Sequence, residues 1–295
     1  MSVPTLAVVG TGAVARAVAR RHADAGGAVV AIVSRDRRRA AALGGRLGMP
    51  GVGVELADCR DADAVLVAVA DAAVPLVGRQ LAVLAGAERT VWLHTSGALA
   101  GSDLLAGAAF VGSLHPLRAF PAATAGRGDD DEDRRLAALV SGTHWFHEGG
   151  GAREAEGLVC AWAGTLHALA PGGKALYHAG AAVLSNHTVA LFDAATRLFA
   201  AAGVSPAASR EPLSVLLAGT AANLAALGAE AALTGPVARG DADTVARHLA
   251  ALGRADPGGV AAYRALAAAT LELACRKGSL DAAAAARLRA LLADA

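Results

Sequence analysis

The sequence predicts an α/β protein, with a doubly wound parallel sheet in the N-terminal half followed by an all-α domain. Short apolar runs alternate with helical patterns through the first half, which is typical of a parallel sheet covered by helices on both faces. After Glu148 the strand signals nearly vanish, and the glycine run Gly149–Gly151 marks the change. We therefore expect one domain at residues 1–149 and a helical domain at residues 150–295.

The N-terminal elements follow from the spacing of apolar residues. Ala64–Val69 is a continuous apolar run, which is typical of a strand buried on both faces. The acidic stretch Asp129–Asp133 is expected to be a solvated loop or the start of a helix. Strands are predicted at Thr5–Val9, Ala28–Val33, Ala64–Val69, Thr90–His94, Ala109–Leu114 and Thr143–His147, and helices at Ala13–Ala25, Arg37–Arg46 and Val74–Leu84.

Helical patterns cover the C-terminal half. Helices are predicted at Ala152–Leu166, from about Lys174 to Ala201, from about Pro212 to Ala232, and from Asp243 to the end. Residues 175–192 and 212–229 carry no acidic or basic side chain, and a membrane helix needs roughly 20 apolar residues. Because polar residues such as Asn186 and Asn223 interrupt both stretches, we expect buried helices of a soluble protein and no membrane association.

The composition limits the classes of function. The chain has 295 residues, of which 55% are hydrophobic and 18% charged, enough for two domains with buried cores. A formal net charge of +1 argues against a nucleic-acid partner, since nucleic-acid binders usually carry a basic excess. Three widely spaced cysteines, Cys59, Cys160 and Cys275, indicate no metal site and a reducing compartment. Met1 leads almost directly into an apolar strand rather than a signal peptide, so we expect a cytoplasmic protein.

A glycine-rich turn follows the first predicted strand and opens the first helix. The pattern G-x-G-x-x-G/A is common by itself, but between a strand and a helix it indicates a dinucleotide-binding site of the Rossmann type. The first glycine permits the tight turn, the second lets the backbone approach a diphosphate, and the alanine keeps helix and strand close. The helix N-terminus favours the phosphate charge. The segment reads Gly10-Thr11-Gly12-Ala13-Val14-Ala15.

The end of the second predicted strand indicates which dinucleotide binds. An NAD site usually places an acidic residue there to bind the ribose 2′-hydroxyl. Here Ser34 and Arg35 follow Val33, and they suit a 2′-phosphate, with Arg37 or Arg38 as helpers. We therefore predict NADP(H) as the cofactor.

Further candidates follow the next strands at the carboxyl edge, where open α/β sheets bind ligands. Ala70 is expected beside the cofactor, and Ser96 and Gly97 beside the nicotinamide or the substrate; ordinary loop chemistry is the alternative. His115 directly follows the strand after that, in a turn that Pro116 stiffens. It is either a substrate-contacting or a structural histidine.

The long helix that begins near Lys174 carries a polar stripe. At about 100° per residue, Lys174, His178 and Ser185 lie on one face, and Asn186 lies about 80° from His178. Buried polar groups must be satisfied, either by a ligand in a pocket or by hydrogen bonds between helices. Farther along the chain, Arg239 lies in a break between helices and is expected either to bind a substrate carboxylate or to hold the fold.

These segments together resemble a group of Rossmann-like oxidoreductases with a C-terminal helical domain of unassigned function. The group is related to ketopantoate reductase, pyrroline-5-carboxylate reductase and, more distantly, the β-hydroxyacid dehydrogenases. The resemblance rests on GTGAVA at 10–15, SLHPLRAF at 113–120, YHAGAAVLSNH at 177–187 and LTGPVARGD at 233–241. It implies a C-terminal domain of the 6-phosphogluconate dehydrogenase C-terminal type, which binds substrate and forms a homodimer.

In the relatives, a lysine and an asparagine on the first long helix after the Rossmann domain serve the substrate. The matching face here carries His178 and Asn186, so that a histidine stands where the lysine is expected, and Lys174 lies one turn earlier. Either residue is a candidate proton donor. We predict an NADPH-dependent reductase of a small 2-oxo acid, ketopantoate-like. The alternatives are a cyclic imine reductase of the pyrroline-5-carboxylate type and a non-catalytic NADP-binding sensor or scaffold.

Overall fold

The computed structural model describes residues 3–49, 53, 55–84, 89–106, 108–121 and 130–293. They divide into two compact units, Met1–Ser185 and Asn186–Ala295. Each unit is described by itself.

The described residues of the first unit form a seven-stranded sheet in the order β2-β1-β3-β4-β5-β6-β7. Strands β1 to β5 are parallel, β6 runs antiparallel to β5, and β7 runs parallel to β6. The order brings the carboxyl ends of β1, β3, β4 and β5 side by side. The strands are β1 (Leu6–Val9), β2 (Val29–Val33), β3 (Ala64–Val67), β4 (Val91–His94), β5 (Val111–Pro116), β6 (His144–Gly149) and β7 (Thr165–Ala168).

Helices cover the sheet, and their bounds agree with the predicted pattern up to β6. All four residues of β1 and of β3 are buried, as expected for strands covered on both faces. Trp92, Trp145 and Trp162 are fully buried in the core. The helices of this unit are α1 (Ala13–Asp24), α2 (Arg37–Arg46), α3 (Val74–Leu81), α4 (Asp130–Val140), α5 (Ala152–Ala161) and α6 (Lys174–Leu184).

The acidic stretch does begin a helix, α4, but it is not simply solvated. Asp133 is fully buried and accepts hydrogen bonds from Arg16 Nε at 2.5 Å and from Arg46 Nε at 2.6 Å. Glu132 also pairs with Arg16, at 2.9 Å. These ion pairs fasten α4 to α1 and α2, and Asp129 lies outside the described residues.

Two predicted helices are shorter than expected. The helix predicted at Ala152–Leu166 ends at Ala161, and the chain turns through Ala163, whose φ is +56°, into β7. Strands therefore continue past Glu148, because β7 pairs with β6 and extends the sheet. The long helix predicted from about Lys174 is interrupted at Ser185, where α6 gives way to α7.

The second unit is helical throughout its described residues. A small core forms between α9, α10 and α11, where Val245, Leu271 and Leu288 are buried. The helices are α7 (Asn186–Ala201), α8 (Pro206–Ala232), α9 (Ala242–Ala255), α10 (Val260–Lys277) and α11 (Ala282–Ala293).

The expectation that residues 175–192 and 212–229 are buried is wrong for the described chain. No residue of α7 is buried, and in α8 only Ser209 and Leu213 are. Apolar side chains such as Leu216, 66% exposed, point into solvent instead. By length and composition alone, one helix among the described residues, Pro206–Arg239, would suffice to cross a membrane. This is weak support for a membrane span, and most side chains of α7 and α8 are left uncovered by the described residues.

The predicted domain boundary at 149/150 stays a prediction. The first compact unit extends to Ser185 because α5, β7 and α6 pack with the sheet. A division by contacts and a division into domains need not coincide.

Candidate active site

The glycine turn after β1 has the shape that a dinucleotide diphosphate requires. Gly10 has φ +128°, and a Cβ there would lie 2.1 Å from the carbonyl oxygen of Ala68. Only glycine fits this approach of backbone to backbone. Gly12 is the N-cap residue of α1, and the space where its Cβ would stand holds no atom within 4 Å. The first turn of α1 has neither an acidic residue nor a side-chain cap, so this helix end is left for an anionic ligand.

The adenosine end of this site lies where β2 ends. Thr11 Oγ1 and Ser34 Oγ are 3.4 Å apart, which joins the glycine turn to the end of β2. Asp36 is not available to a ribose, because its carboxylate caps α2 by accepting two backbone N–H bonds.

Two guanidinium groups near Ser34 are exposed and available. Arg37 pairs with Glu55, and Arg39 pairs with the Asp36 carboxylate. Arg35 and Arg38 are exposed, and neither side chain forms an ion pair or a hydrogen bond with another described residue. Neither guanidinium group is therefore engaged within the described residues, and a contact with the 2′-phosphate of NADP(H) needs such a group.

The loops after β3 and β4 complete the carboxyl edge. Ala70 leads into a short 3-10 turn after β3. Ser96 is 5% exposed, and its Oγ accepts hydrogen bonds from the backbone N–H groups of Ala98 and Leu99. The Ser96 side chain thus shapes the loop that carries Gly97.

Gly97 makes room for two imidazole rings. A Cβ at Gly97 would lie 2.5 Å from His178 Cδ2, 3.0 Å from His178 Nε2 and 2.9 Å from His115 Nε2. The two rings stand edge to face with centroids 6.2 Å apart. Three residues predicted from separate segments, on the β4 loop, on β5 and on α6, therefore meet at one point.

Behind these histidines lies a buried lysine. Lys174 is 2% exposed, and its Nζ donates a hydrogen bond to Ser113 Oγ at 2.8 Å. Burial lowers the pKa of Lys174 to about 8, while the charge of nearby Glu148 opposes that shift. The Glu148 carboxylate accepts hydrogen bonds from the backbone of Gly101 and of Gly172, both at 3.0 Å. The amine is close enough to neutrality to take part in proton transfer, but it is enclosed.

His94 completes the group and was not predicted. It is fully buried at the end of β4, and its Nε2 lies 2.8 Å from the carbonyl oxygen of Ala100. Its Nδ1 is buried without a hydrogen-bond partner among the described residues. Burial lowers the pKa of His94 and favours its neutral form, whereas Lys174 keeps its charge at neutral pH.

The structure places the other predicted residues at the ends of helices or in turns. Ser185 is exposed at the end of α6. Asn186 begins α7 and Arg239 lies exposed in a 3-10 turn, both in the second unit. Asp241 caps α9 through the N–H of Thr244.

Sequence reasoning missed Ser113, Tyr177, His94 and Glu148. The sequence did hold a signal for Ser113 and Tyr177. Residues two apart on a strand share a face, so Ser113 lies on the same face as the candidate His115. Likewise Lys174 and Tyr177, three apart on a helix, share a face, and they contact those two strand residues.

Two family models match the chain. Residues 5–90 match the family described as "NADP oxidoreductase coenzyme F420-dependent". Residues 148–270 match a "Domain of unknown function (DUF2520)". No curated protein matches the chain.

Several solved structures share the fold. Protein TM1727 from Thermotoga maritima is 23% identical, with a TM-score of 0.72 over 92% of this chain and 99% of that one. The reductive aminase from Aspergillus terreus, in complex with NADPH and ethyl levulinate, is 20% identical, with a TM-score of 0.59 over 98% and 99%. The 1-pyrroline-5-carboxylate reductase from Streptococcus pyogenes is 13% identical, with a TM-score of 0.59 over 94% and 99%.

These likenesses establish the Rossmann-type fold with a largely helical C-terminal region. The match over residues 5–90 agrees with the geometry of the glycine turn and with the two free arginines, which fit NADP(H). The chain is therefore a Rossmann-type NADP oxidoreductase whose C-terminal part matches a domain family of unassigned function.

Proposed function

We propose that this NADP oxidoreductase reduces the carbonyl group of a small, ketopantoate-like 2-oxo acid, with His178 as the proton donor. The observation that carries the proposal is the meeting of His115 and His178 at Gly97, at the carboxyl edge that also carries the glycine turn. Ligands of open α/β sheets bind at this edge.

The chain's own residues would hold the cofactor and serve the substrate. Gly10, Gly12 and the N-terminus of α1 would hold the diphosphate, and Ser34 and Arg35 the 2′-phosphate. When bound, NADPH supplies the hydride that the carbonyl carbon gains. His178 gives a proton to the carbonyl oxygen, so that the product is a hydroxy acid, and it regains a proton from solvent.

His178 suits the proton-donor role better than Lys174. His178 is half-buried and lies against Gly97, whereas Lys174 is 2% exposed and its Nζ donates a hydrogen bond to Ser113. Lys174 instead supplies a fixed positive charge behind the site, which stabilises developing negative charge on the substrate oxygen.

The same charge favours a 2-oxo acid over an imine. With a pKa of about 8, Lys174 is mostly protonated at neutral pH, and it attracts a carboxylate but repels an iminium cation. A cyclic imine is the second candidate, because the pyrroline-5-carboxylate reductase and the reductive aminase share the fold.

Further substrate contacts are also proposed. Asn186 would orient the reacting group, Ser185 would contact the substrate, and Arg239 would bind its carboxylate. We further propose a cytoplasmic homodimer, since a second copy would cover the apolar side chains that α7 and α8 leave exposed. No nucleic-acid or membrane partner is proposed.

A fluorescence titration with NADPH and NADH, followed by turnover assays on 2-oxo acids and cyclic imines, tests the function. His178→Asn should lower kcat sharply and leave the Kd for NADPH unchanged. His144→Asn, at an exposed histidine of the same unit, is the matched control and should leave both unchanged. Tight NADPH binding without turnover on any carbonyl or imine would favour the sensor alternative.

A further inference from the structure

A hydrogen bond joins Tyr177 of α6 to His115 of β5. The Tyr177 hydroxyl lies 2.7 Å from His115 Nδ1, and the rings meet edge to face with centroids 5.6 Å apart. Phe146, which pairs with His115 across β5 and β6, also packs against the tyrosine ring, with the ring centroids 4.6 Å apart. The phenol is therefore held in place by two neighbouring rings.

The chemistry of the two partners fixes which one donates. Among the described residues, the Tyr177 hydroxyl has no other hydrogen-bond partner. Burial raises the pKa of Tyr177 to about 12, so the hydroxyl keeps its proton and can donate it. Burial, together with the charge of Lys174 and the neighbouring imidazoles of His178 and His94, lowers the pKa of His115 to about 4, so this imidazole is neutral.

A neutral imidazole that accepts a hydrogen bond on Nδ1 carries its proton on Nε2. In this molecule the Nε2 atom of His115 lies on the side of Gly97 that lacks a side chain, 2.9 Å from where a Cβ would stand. Nε2 of His178 lies 3.0 Å from the same point. Both Nε2 atoms therefore face the same side of Gly97, close enough to each other for one oxygen atom bound between the rings to accept a hydrogen bond from each.

We propose that Tyr177 is a positioning residue, which holds His115 in the Nε2-protonated form so that His115 donates a neutral hydrogen bond to the reacting oxygen beside Gly97. This inference rests on the proposed reductase function and divides the work of the two histidines. His115 polarises the oxygen and keeps its own proton, while His178 transfers one.

The tautomer can be measured without cofactor or turnover. Long-range ¹H–¹⁵N correlation spectra of the full-length, ¹⁵N-labelled protein at neutral pH report which ring nitrogen carries the proton, and His115→Gln identifies the His115 signals. The chain contains two tyrosines, and Tyr263 likewise lies against a histidine, with its hydroxyl 2.8 Å from His248 Nδ1. Tyr263→Phe is therefore a matched control for Tyr177→Phe.

We expect His115 to carry its proton on Nε2 in the wild type and in Tyr263→Phe, and to become a mixture of tautomers in Tyr177→Phe. Loss of one aligned neutral donor should lower kcat by about fivefold to tenfold in Tyr177→Phe, with the Kd for NADPH unchanged. Tyr263→Phe should keep the wild-type kcat.

Two results would overturn the inference. One is a proton on Nδ1 of His115 in the wild type, and the other is an unchanged His115 tautomer in Tyr177→Phe. If the tautomer responds as expected but no carbonyl or imine is ever reduced, the proposed function fails and the catalytic role of His115 fails with it. The spectra and the turnover assay thus separate the two failures.

Discussion

Replacing Lys174 by methionine should stabilise the protein at neutral pH while impairing its activity. Lys174 is 2% exposed, and burial lowers its pKa from 10.5 to about 8. At about 1.4 kcal/mol per pH unit, that difference corresponds to about 3 kcal/mol of destabilisation by the charged form. The lost hydrogen bond to Ser113 offsets about 1 kcal/mol, so the net gain at pH 7 is about 2 kcal/mol.

The pH dependence gives this prediction its signature. Because the folded-state pKa of about 8 lies below the ordinary value of 10.5, the unfolded chain binds more protons between these two pH values. The free energy of unfolding of the wild type therefore rises with pH in this window, and the rise from Lys174 is absent in Lys174→Met. Below about pH 8 both states hold the proton, and the full destabilisation applies.

Urea denaturation of both proteins at intervals from pH 7 to pH 10 measures the effect. The advantage of Lys174→Met should shrink by about 2 to 3 kcal/mol across this range. The only other lysine of the chain, Lys277, is exposed, and Lys277→Met is the matched control. Its stability relative to the wild type should be the same at every pH in this range. A stability difference between Lys174→Met and the wild type that does not vary with pH would refute the inference that Lys174 is buried as a cation. The KM for a 2-oxo acid should rise in Lys174→Met, because the fixed charge behind the site is gone.

Four further predictions concern the cofactor, the histidines, the core and the assembly. Arg35→Ala should weaken NADPH binding about tenfold and leave NADH binding unchanged in fluorescence titrations, because only the 2′-phosphate contact is lost. Gly97→Ala should lower kcat at least about tenfold in steady-state assays, because its Cβ would lie 2.5 Å from His178 Cδ2 and displace the rings. Asp133→Asn should lower the free energy of unfolding by about 3 to 5 kcal/mol, since two arginines lose their buried partner. Leu216→Glu should convert a homodimer to a monomer in light-scattering measurements, because it places a charge on an apolar face that a second copy would cover.

Each of these has a control and a result that would contradict it. Arg37→Ala should have a smaller effect on NADPH, because Glu55 already occupies that guanidinium, and equal losses for the two cofactors would argue against a 2′-phosphate contact. Gly97→Ala should leave the Kd for NADPH unchanged, and normal turnover would show that the histidines do not act there. Asp131→Asn, at an exposed carboxylate, should be nearly neutral, and a similar loss there would point to net charge instead. A wild-type protein that is already monomeric would remove the basis of the assembly prediction.

The spacing of residues along the chain predicted those features that depend on neighbouring residues alone. The glycine turn, the strands that alternate with helices and the carboxyl-edge position of His115 follow from spacing along the chain. The meeting of Gly97, His115 and His178 could be anticipated only in outline, because it depends on the order of the strands and on how α6 packs on them.

Features that depend on distant partners could not be predicted. The buried state of Asp133 requires two arginines that lie 117 and 87 positions earlier in the chain, and the acidic stretch around it gives no sign of them. The sequence pattern predicts a helix that runs into the start of β7, because the four residues of this strand, Thr165–Ala168, are too few to establish a period of two. The exposure of α8 was missed because an apolar composition does not say whether the same chain or another surface covers it.

Gly10 and Gly12 stand two positions apart, but a side chain would be excluded from them for different reasons: at Gly10 by the fold, and at Gly12 by the ligand. A methyl group at Gly10 collides with the backbone after β3, so a substitution there damages the protein whether or not any nucleotide is present. A methyl group at Gly12 meets only empty space, so the folded protein tolerates it and the incoming diphosphate is the first thing it obstructs. Loss of binding after a change at the first glycine is therefore ambiguous, whereas the same loss at the second reports on the ligand alone.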